Sequence, residues 1–415
     1  MTSPPMLACP DCDLLHRAFR SPAGMTQVCG RCGADLGQGE PASLHRALAW
    51  FITALILLLL ALAFPLMSLR LHGTVREASI PGCVAILGKL GWPWLAAILL
   101  TMVILGPLVH LSGMVVVLYQ VCRGRARRWT ARIFRFLEEF RRWGMVEVFL
   151  LGVLVSYAKL SRMAAMTPGL SLYALAGFVL ATAMAFSSLD PRAVFDAAWA
   201  GRGADLPAGG GGGASARRLS LQACPACGLV AGLAQTAHCR RCGASLHSRK
   251  PDSAGRTWAL LITAAILYVP ANLMPVTRVV YVGRPQEDTI LSGVDYFLKT
   301  GSWPLALVIF VASVLVPLSK FVVFSFLLVS VKMRSHWRPR LRASLYRVTE
   351  SVGRWSMVDI FAITLMVAML QAGRLASVVP RPGAMAFAMM VVATILAARC
   401  FDPRLVWDAM EPGNG

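Results

Sequence analysis

Eight of the chain's eleven cysteines fall into two sets of paired Cys-x-x-Cys motifs. The first set is Cys9, Cys12, Cys29 and Cys32, and the second set is Cys224, Cys227, Cys239 and Cys242. Each motif fits a tight turn that directs two thiolates at one metal ion, and two such turns complete a tetrahedron. We therefore predict two four-cysteine sites, each with one zinc ion that stabilises a small module with almost no core of its own.

The chemistry of a four-cysteine site depends on the metal that it binds. Zinc with four protein ligands has no free coordination position, so its expected role is structural. Iron in the same ligand set would give a rubredoxin-like centre that passes electrons, and this stays the alternative. Disulfides are a poorer explanation, because the modules are expected to face a reducing cytoplasm.

A lysine stands inside the apolar stretch VASVLVPLSKFVVFSFLLVS at 311–330. Lys320 lies about 11 residues from the cytoplasmic end of this stretch, roughly 16 Å along a helix, which is farther than a lysine side chain reaches. An unpaired charge at this depth costs on the order of 3 kcal/mol, so we predict a buried partner. The carboxylate of Asp359, in the motif GRWSMVDIF of the next span, is the candidate. Ser313 and Thr394 are expected to face the same interior.

The first half of the chain carries a second base and acid at equivalent positions. His110 takes the place of Lys320, and Glu147 takes the place of Asp359. We expect His110 and Glu147 to pair within their own helical unit, as a pair that titrates near neutral pH. Two interpretations of these pairs stay open. One is an ion pair that fixes the helix register, and the other is a polar, proton-linked site in a lipid- or solute-handling cavity.

The motif PANLMP at 270–275 is the third group with expected chemistry. Pro270 and Pro275, with Asn272 between them, predict a broken helix near the outer membrane surface. The backbone groups that such a break frees need water or neighbouring protein. The counterpart in the first half is only AFPLMS, at 63–68.

These groups must be positioned by membrane-spanning helices. Hydrophobic residues make up 57% of the 415 residues, charged residues make up 15%, and the mean hydropathy is +0.62. A soluble domain cannot bury that much apolar surface. We predict eight spans of roughly 17–25 residues each. They lie near 46–69, 93–121, 145–165, 169–189, 257–276, 303–331, 356–373 and 383–400.

The net charge of +21 is concentrated in particular connections between the predicted spans. Arginines are dense at 122–142 and 332–354, and more lie around 192–256. By the positive-inside rule these segments face the cytoplasm, which places both termini and both cysteine modules there. Basic loops beside anionic lipid head groups explain the charge better than nucleic-acid binding does.

The two halves of the chain repeat one plan. RRWGMVEVF at 141–149 matches GRWSMVDIF, and LDPRAVFD at 189–196 matches FDPRLVWD, both at an offset of 212 residues. The predicted domains are listed in chain order: zinc ribbon 1 at 1–40, a four-span unit at 41–200, a Gly-rich linker at 201–220, zinc ribbon 2 at 221–250 and a second four-span unit at 251–415. The predicted fold is an all-α polytopic membrane protein, with small extracytoplasmic strands expected near 69–80 and 276–290.

Paired four-cysteine ribbons, duplicated spans and the motifs PANLMP, PLSKF and GRWSMVDIF resemble the paraquat-inducible protein A family of bacterial inner-membrane proteins. The resemblance covers nearly the whole chain. It implies that the four-span units are tetraspanin-like, and that Ser313, Lys320, Asp359 and Thr394 form a polar network in the second unit. It also implies phospholipid as the ligand and a periplasmic MCE-domain tunnel protein as the partner.

We accordingly predict a non-enzymatic inner-membrane component of an intermembrane lipid transport system. It would load or receive phospholipid for its periplasmic partner, with proton coupling through Lys320 and Asp359 as a hypothesis. The chain has no Walker A or His-Glu-x-x-His motif that would indicate ATP hydrolysis or proteolysis. A redox or stress-responsive membrane protein that transfers electrons at its four-cysteine centres is the alternative, and a small-solute secondary transporter is a third class.

Overall fold

The computed structural model of the chain describes residues 6–17, 26–38, 44–71, 74–141, 144–160, 165–199, 214–232, 237–281, 284–301, 303–370, 376–408 and 410. Most of the predicted linker, 201–213, lies outside the described residues. The described part is predominantly helical, with five small antiparallel sheets. The prediction of a helical membrane protein with small β elements and two clusters of four cysteines is therefore confirmed.

Ribbon 1 consists of two short antiparallel hairpins. Its strands are β1 Met6–Ala8, β2 Leu15–Arg17, β3 Thr26–Val28 and β4 Asp35–Gln38. β1 pairs with β2, and β3 pairs with β4. In the second hairpin the Gly33 amide donates to the carbonyl of Cys29 at 2.8 Å. Gly33 has a φ of +72°, which a residue without a Cβ adopts at little cost.

Membrane unit 1 surrounds a three-stranded sheet with helices. Its elements are α1 Leu44–Ala63, β5 Met67–Leu71, β6 Thr74–Ala78, α2 Ile80–Lys89, α3 Pro93–Leu99, α4 Gly106–Cys122, α5 Arg128–Arg141, α6 Val146–Leu160, β7 Ala165–Pro168, α7 Leu170–Ser187 and α8 Pro191–Trp199. β5 is the central strand, between β6 and β7. A π-helical turn at Leu100–Leu105 joins α3 to α4. Pro107, which has no N–H to donate, lies in the first turn of α4.

Ribbon 2 and membrane unit 2 repeat this order of elements. They contain β8 Leu221–Ala223, β9 Val230–Gly232, α9 Ser253–Leu273, β10 Thr277–Tyr281, β11 Arg284–Asp288, α10 Ile290–Lys299, α11 Trp303–Phe310, α12 Val316–Lys332, α13 Pro339–Val352, α14 Val358–Leu370, β12 Ala376–Pro380, α15 Pro382–Cys400 and α16 Leu405–Asp408. β10 is central, between β11 and β12. A π-helical turn, Val311–Leu315, again joins α11 to α12, and a 3-10 turn, Gly353–Met357, precedes α14.

Six helices in the described part are long and apolar enough to cross a membrane. They are Leu44–Ala63, Pro93–Cys122, Leu170–Ser187, Ser253–Leu273, Ala306–Lys332 and Pro382–Cys400. The other two predicted spans, 145–165 and 356–373, correspond to α6 and α14, which have 15 and 13 residues. Each is followed directly by residues outside the described part, so a count of eight spans stays a prediction.

The two membrane units meet where α6 packs on α14. A Cβ added to Gly152 would lie 2.9 Å from the Cβ of Phe361, so the two helices approach as closely as a glycine permits. The Ser156 hydroxyl donates to the carbonyl of Ala362 at 3.0 Å. Phe149 packs edge-on against Phe361, with 5.6 Å between the ring centres.

Ribbon 1 docks mainly on unit 2, although Arg192 of α8 in unit 1 also donates to the carbonyl of Leu36. Arg347 of α13 donates to the Asp11 carboxylate at 2.8 Å and to the Cys32 carbonyl at 3.0 Å. Arg340, near the start of α13, donates to the carbonyls of Gly30 and Arg31, each at 2.9 Å. The last turns of α12 join the same apolar cluster as the first cysteine set.

Ribbon 2 docks on unit 1 and also touches ribbon 1. Arg241 donates to Asp196 of α8, and its guanidinium lies 5.6 Å from the ring centre of Phe195. Between the ribbons, the Arg249 guanidinium donates to the Asp13 carboxylate at 3.2 Å. The two ribbons therefore form one layer that bridges both units.

Candidate functional site

The cysteines of each ribbon converge on one point. In each set of four, the sulfur atoms all lie within 4.8 Å of one another, and all eight residues are buried. The Sγ–Sγ distances are 3.4 Å for Cys9–Cys32, 3.5 Å for Cys12–Cys29, 3.4 Å for Cys224–Cys242 and 3.6 Å for Cys227–Cys239. Zinc–sulfur bonds of about 2.3 Å in a tetrahedron separate the sulfurs by roughly 3.8 Å. Both clusters therefore fit a tetrahedral metal ion.

Sequence reasoning missed a histidine beside the first cluster. The Nε2 atom of His16 lies 3.2 Å from the sulfur of Cys29, which is the position of a group that orients or neutralises a metal-bound thiolate. Burial lowers the pKa of His16 from its ordinary value. The spacing of His16 four residues after Cys12 is the signal that could have identified it.

The ammonium of Lys320 is fully partnered by neutral oxygens. Lys320 is 2% exposed. Its Nζ donates to the Gly353 carbonyl at 2.9 Å, to the Thr394 hydroxyl at 3.1 Å and to the Ser356 hydroxyl at 3.2 Å. An ammonium has three protons to donate, and each has an acceptor here.

Both hydroxyls are held in the orientation that suits an ammonium. The Ser356 hydroxyl donates its own proton to Gly353 O at 2.9 Å, and Thr394 donates to Val391 O at 2.8 Å. Their lone pairs are therefore directed to Lys320. A Cβ on Gly353 would lie 2.9 Å from Cε of Lys320, so the close approach of this backbone requires glycine.

The structure brings together only some of the predicted network. Thr394 contacts Lys320 directly. Ser313, in the π-helical turn, is fully buried, and its hydroxyl has no hydrogen-bond partner among the described residues. Asp359 lies on α14, but its side chain is outside the described residues, so the ion pair with Lys320 stays a prediction. Sequence reasoning missed Gly353 and Ser356, although both stand in the motif GRWSMVDIF.

In unit 1 the predicted pair of His110 and Glu147 is not formed. His110 Nδ1 contacts the carbonyl of Leu137 at 3.0 Å instead. The C-terminal half of α5, which carries Leu137, packs on α4 at this point and provides the hydrogen-bond acceptor for His110. The Glu147 side chain is exposed instead. His110 Nε2 is buried and has no partner among the residues that the structure describes.

A cavity of about 570 Å³ lies between the two units and reaches both His110 and Lys320. Its charged lining residues are Arg141, Glu147, Lys320, Arg347, Glu350 and Arg399. Aromatic and aliphatic side chains of α5, α7 and α15 form the rest of its wall, among them Phe140, Phe178, Phe186 and Ile395. The lining of the cavity therefore combines apolar side chains with charged side chains whose net charge is positive.

The PANLMP motif ends a helix without breaking it at its first proline. α9 continues through Pro270 to Leu273, and the Asn272 amide donates to the carbonyl of Tyr268 at 2.9 Å. The Pro275 carbonyl accepts from the Gly383 amide at 3.2 Å, at the start of α15. The helix therefore ends within the motif, between its two prolines, and the motif joins the end of α9 to the start of α15 beside the sheet.

Comparison with known proteins places the chain in a family. The sequence profile described as Paraquat-inducible protein A matches residues 44–198 and 254–411. The chain is 32% identical over 403 residues to the Intermembrane transport protein PqiA of Escherichia coli (strain K12), covering 97% of this chain and 95% of that protein.

Two further relatives extend over nearly the whole chain. It is 30% identical over 406 residues to the Lipophilic envelope-spanning tunnel protein A of the same organism, with 98% and 92% of the two chains covered. It is 28% identical over 429 residues to a Probable intermembrane transport protein of Haemophilus influenzae, with 99% and 98% covered. No solved structure matches. The chain belongs to the paraquat-inducible protein A family.

Proposed function

We propose that this multi-pass membrane protein of the bacterial envelope is the inner-membrane component of an intermembrane phospholipid transport system. The cavity between the units is the observation that carries the proposal. Its apolar side chains suit acyl chains, and the net positive charge of its lining suits a phosphate, so an amphiphile fits it better than a hydrophilic solute does. Relatives that span the whole chain are named intermembrane transport proteins.

The partner in this proposal is a periplasmic protein with MCE domains, to which the chain delivers phospholipid or from which it receives it. In this proposal both termini and both ribbons face the cytoplasm, which the arginine-rich connections support. The small sheets of units 1 and 2 then face the periplasm and are the elements nearest to such a partner. In this proposal the chain itself performs no catalysis.

Each cysteine cluster is proposed to hold one zinc ion with a structural role. The metal would fix the knuckles that present Gly30, Arg31 and Cys32 carbonyls to α13. Metal analysis of the purified chain is expected to give two zinc ions and no visible absorbance. Iron with thiolate absorbance would support the electron-transfer alternative instead.

We further propose that transport is coupled to protons through Lys320 and Asp359. The three described acceptors of Lys320 are neutral oxygens. Loss or gain of a proton by Lys320 would therefore change the charge of the network, and none of these three contacts is an ion pair that would have to break. Because Lys320 and Thr394 line the cavity, a change in the charge of Lys320 would act directly on a lipid bound there.

Phospholipid transfer between vesicles tests the function directly. The chain is reconstituted with its periplasmic partner, and transfer of a labelled phospholipid to acceptor vesicles is followed with and without a proton gradient. We expect transfer that rises with the gradient and falls at least tenfold in Lys320→Met. The matched control is Lys299→Ala, which removes an exposed lysine that pairs with Asp295. Equal transfer by chain-free vesicles would exclude the function.

A further inference from the structure

The cavity contains a polar group that the Lys320 network does not use. His110 lines the cavity and is 7% exposed. Its Nδ1 donates to the carbonyl of Leu137 at 3.0 Å, because a carbonyl can only accept. In the neutral ring Nε2 is then an acceptor, and it has no partner among the described residues. A buried acceptor of this kind is normally satisfied by a ligand or a water molecule.

Comparison of the two units explains why this acceptor is open. In unit 2 the long side chain of Lys320 reaches Thr394. Thr182 is the counterpart of Thr394 at the same offset, but its hydroxyl donates to the carbonyl of Phe178 at 2.9 Å. The shorter imidazole of His110 is held by Leu137 of α5 instead.

A cation lies beside the open acceptor. The guanidinium carbon of Arg141 is 4.7 Å from the centre of the Phe186 ring, and the His110 ring centre is 5.8 Å from the same point. Arg141 occupies the position that Gly353 has in unit 2. Unit 1 thus presents a cation and a neutral acceptor on one aromatic side chain, where unit 2 presents an ammonium and a carbonyl.

We propose that His110 and Arg141 bind the head group of a phospholipid that carries a hydrogen-bond donor next to its phosphate. Arg141 contacts the phosphate, and His110 Nε2 accepts from an ammonium or a hydroxyl. The acyl chains lie against Phe178 and Phe186. This proposal rests on the lipid transport function proposed above and adds the head-group class that the chain selects.

A second acceptor supports the requirement for a donor. Glu147 is exposed on the cavity lining, and its carboxylate does not pair with His110. An ethanolamine ammonium, with three N–H groups, can donate to both side chains, and the hydroxyls of a glycerol head group can donate to His110. A choline head group has the same phosphate but no N–H or O–H, so it cannot donate a hydrogen bond to either acceptor.

The test measures which lipids the purified full-length chain retains. The chain is exchanged into vesicles with equal amounts of phosphatidylethanolamine, phosphatidylglycerol and phosphatidylcholine, repurified in detergent, and its bound lipids are counted by mass spectrometry. We expect phosphatidylethanolamine and phosphatidylglycerol to be enriched over phosphatidylcholine on the order of fivefold, as one net hydrogen bond gives.

Two variants address the site and one variant serves as the control. His110→Phe keeps an aromatic ring packed on Phe186 and removes the acceptor. The enrichment is therefore expected to disappear, so that the three lipids are retained about equally. Ala183→Trp fills the cavity from α7 and is expected to lower all retained lipid. Leu180→Trp adds the same ring on the same helix at a position that is 69% exposed, and it is expected to behave as the unchanged chain does.

Each outcome decides one question. Retention of phosphatidylcholine at the level of the other two lipids, or unchanged enrichment in His110→Phe, overturns the site. Displacement of the lipids by soluble glycerophosphoethanolamine at the same concentration shows a site for free phosphoesters and also overturns it. Selective retention without transfer between vesicles would exclude the transport function but support the head-group site. Transfer without selective retention would support the transport function but exclude the head-group site.

Discussion

The buried amino group of Lys320 is satisfied because three oriented oxygens replace the water that it loses. The sequence identified Lys320, since a lysine inside an apolar stretch requires a partner. It also pointed to Thr394. It did not point to the Gly353 carbonyl, because that contact depends on the 3-10 turn Gly353–Met357, which hydropathy and residue spacing do not reveal.

Gly353→Ala should destabilise the protein by about 1–3 kcal/mol, because the new methyl overlaps Cε of Lys320. The backbone angles at Gly353 are helical, so the cost comes from this contact and not from strain. The measurement is thermal unfolding in detergent. Gly293→Ala is the control, since its Cβ would meet nothing within 4 Å. Equal stabilities of the two variants would contradict the packing at Lys320.

Asp402 provides a prediction about pH. It is 1% exposed. Burial acts to raise its pKa, but the guanidinium of Arg404 and the backbone amides of Lys250 and Arg404 offset this, so the pKa lies below its ordinary value. A depressed pKa in the folded state means that the stabilisation is present above about pH 4 and is lost as the pH falls through the folded pKa.

Asp402→Asn should therefore remove this acid-dependent part of the stability and cost about 3–5 kcal/mol at pH 7, as breaking a buried charge pair does. Unfolding measured between pH 7 and pH 3 checks both statements. Asp295→Asn, at an exposed pair on α10, should change stability by less than about 0.5 kcal/mol. A parallel pH dependence in Asp402→Asn and the unchanged chain would contradict the assignment.

At the scale of elements, hydropathy predicted where the long helices lie but not what covers them. The last turns of α12 are as apolar as its middle, so the sequence predicts that they span the membrane. In the structure Phe324, Leu327 and Leu328 pack in one cluster with the cysteines of ribbon 1. A hydropathy scale gives the same value for a leucine beneath a four-cysteine ribbon and a leucine in lipid, so this distinction needs the fold.

The docking of each ribbon on the distant unit gives a prediction about local stability. Cys9→Ser should speed hydrogen exchange in α13 at least tenfold, because the carbonyls of ribbon 1 that Arg340 and Arg347 bind lose their fixed positions. Exchange in α5 should stay the same.

Cys224→Ser is the matched variant for ribbon 2 and should give the reverse result. Gly243 of ribbon 2 lies against the Arg132 side chain of α5, with 3.5 Å from a built Cβ to that side chain. Faster exchange in α5 with α13 unchanged is therefore expected. If each ribbon variant loosened the unit that follows it in sequence, the crosswise docking would be wrong.

At the scale of the whole molecule, the internal repeat predicted two units with the same order of elements, and the sheets β6–β5–β7 and β11–β10–β12 follow one topology. The repeat could not predict how the units meet. That depends on Gly152, a residue with no motif around it, which faces Phe361 across the α6–α14 contact. The cavity with His110 and Lys320 also arises only from this assembly.

Gly152→Leu should destabilise the contact between the units by about 1–3 kcal/mol, since even a Cβ would lie 2.9 Å from Phe361 and 3.1 Å from the amide of Ala362. Thermal unfolding measures the change. Gly177→Ala on α7 is the control, because its Cβ would lie 3.4 Å from Leu57, a distance at which the neighbour adjusts by a few tenths of an ångström. Full stability of Gly152→Leu would mean that α6 and α14 do not touch as described.

The crosswise docking of ribbon 1 also sets an order of events during synthesis. Arg347 leaves the ribosome 315 residues after Cys32, whose carbonyl it binds. At about 5–20 residues per second the finished ribbon waits between about 16 and 63 s for its docking helix. Throughout that time its exposed carbonyls and apolar face have no α13 to cover them. A chain that stops short of α13 leaves the ribbon 1 carbonyls that Arg340 and Arg347 bind without these donors, so a truncated product differs from a complete one near its own N-terminus.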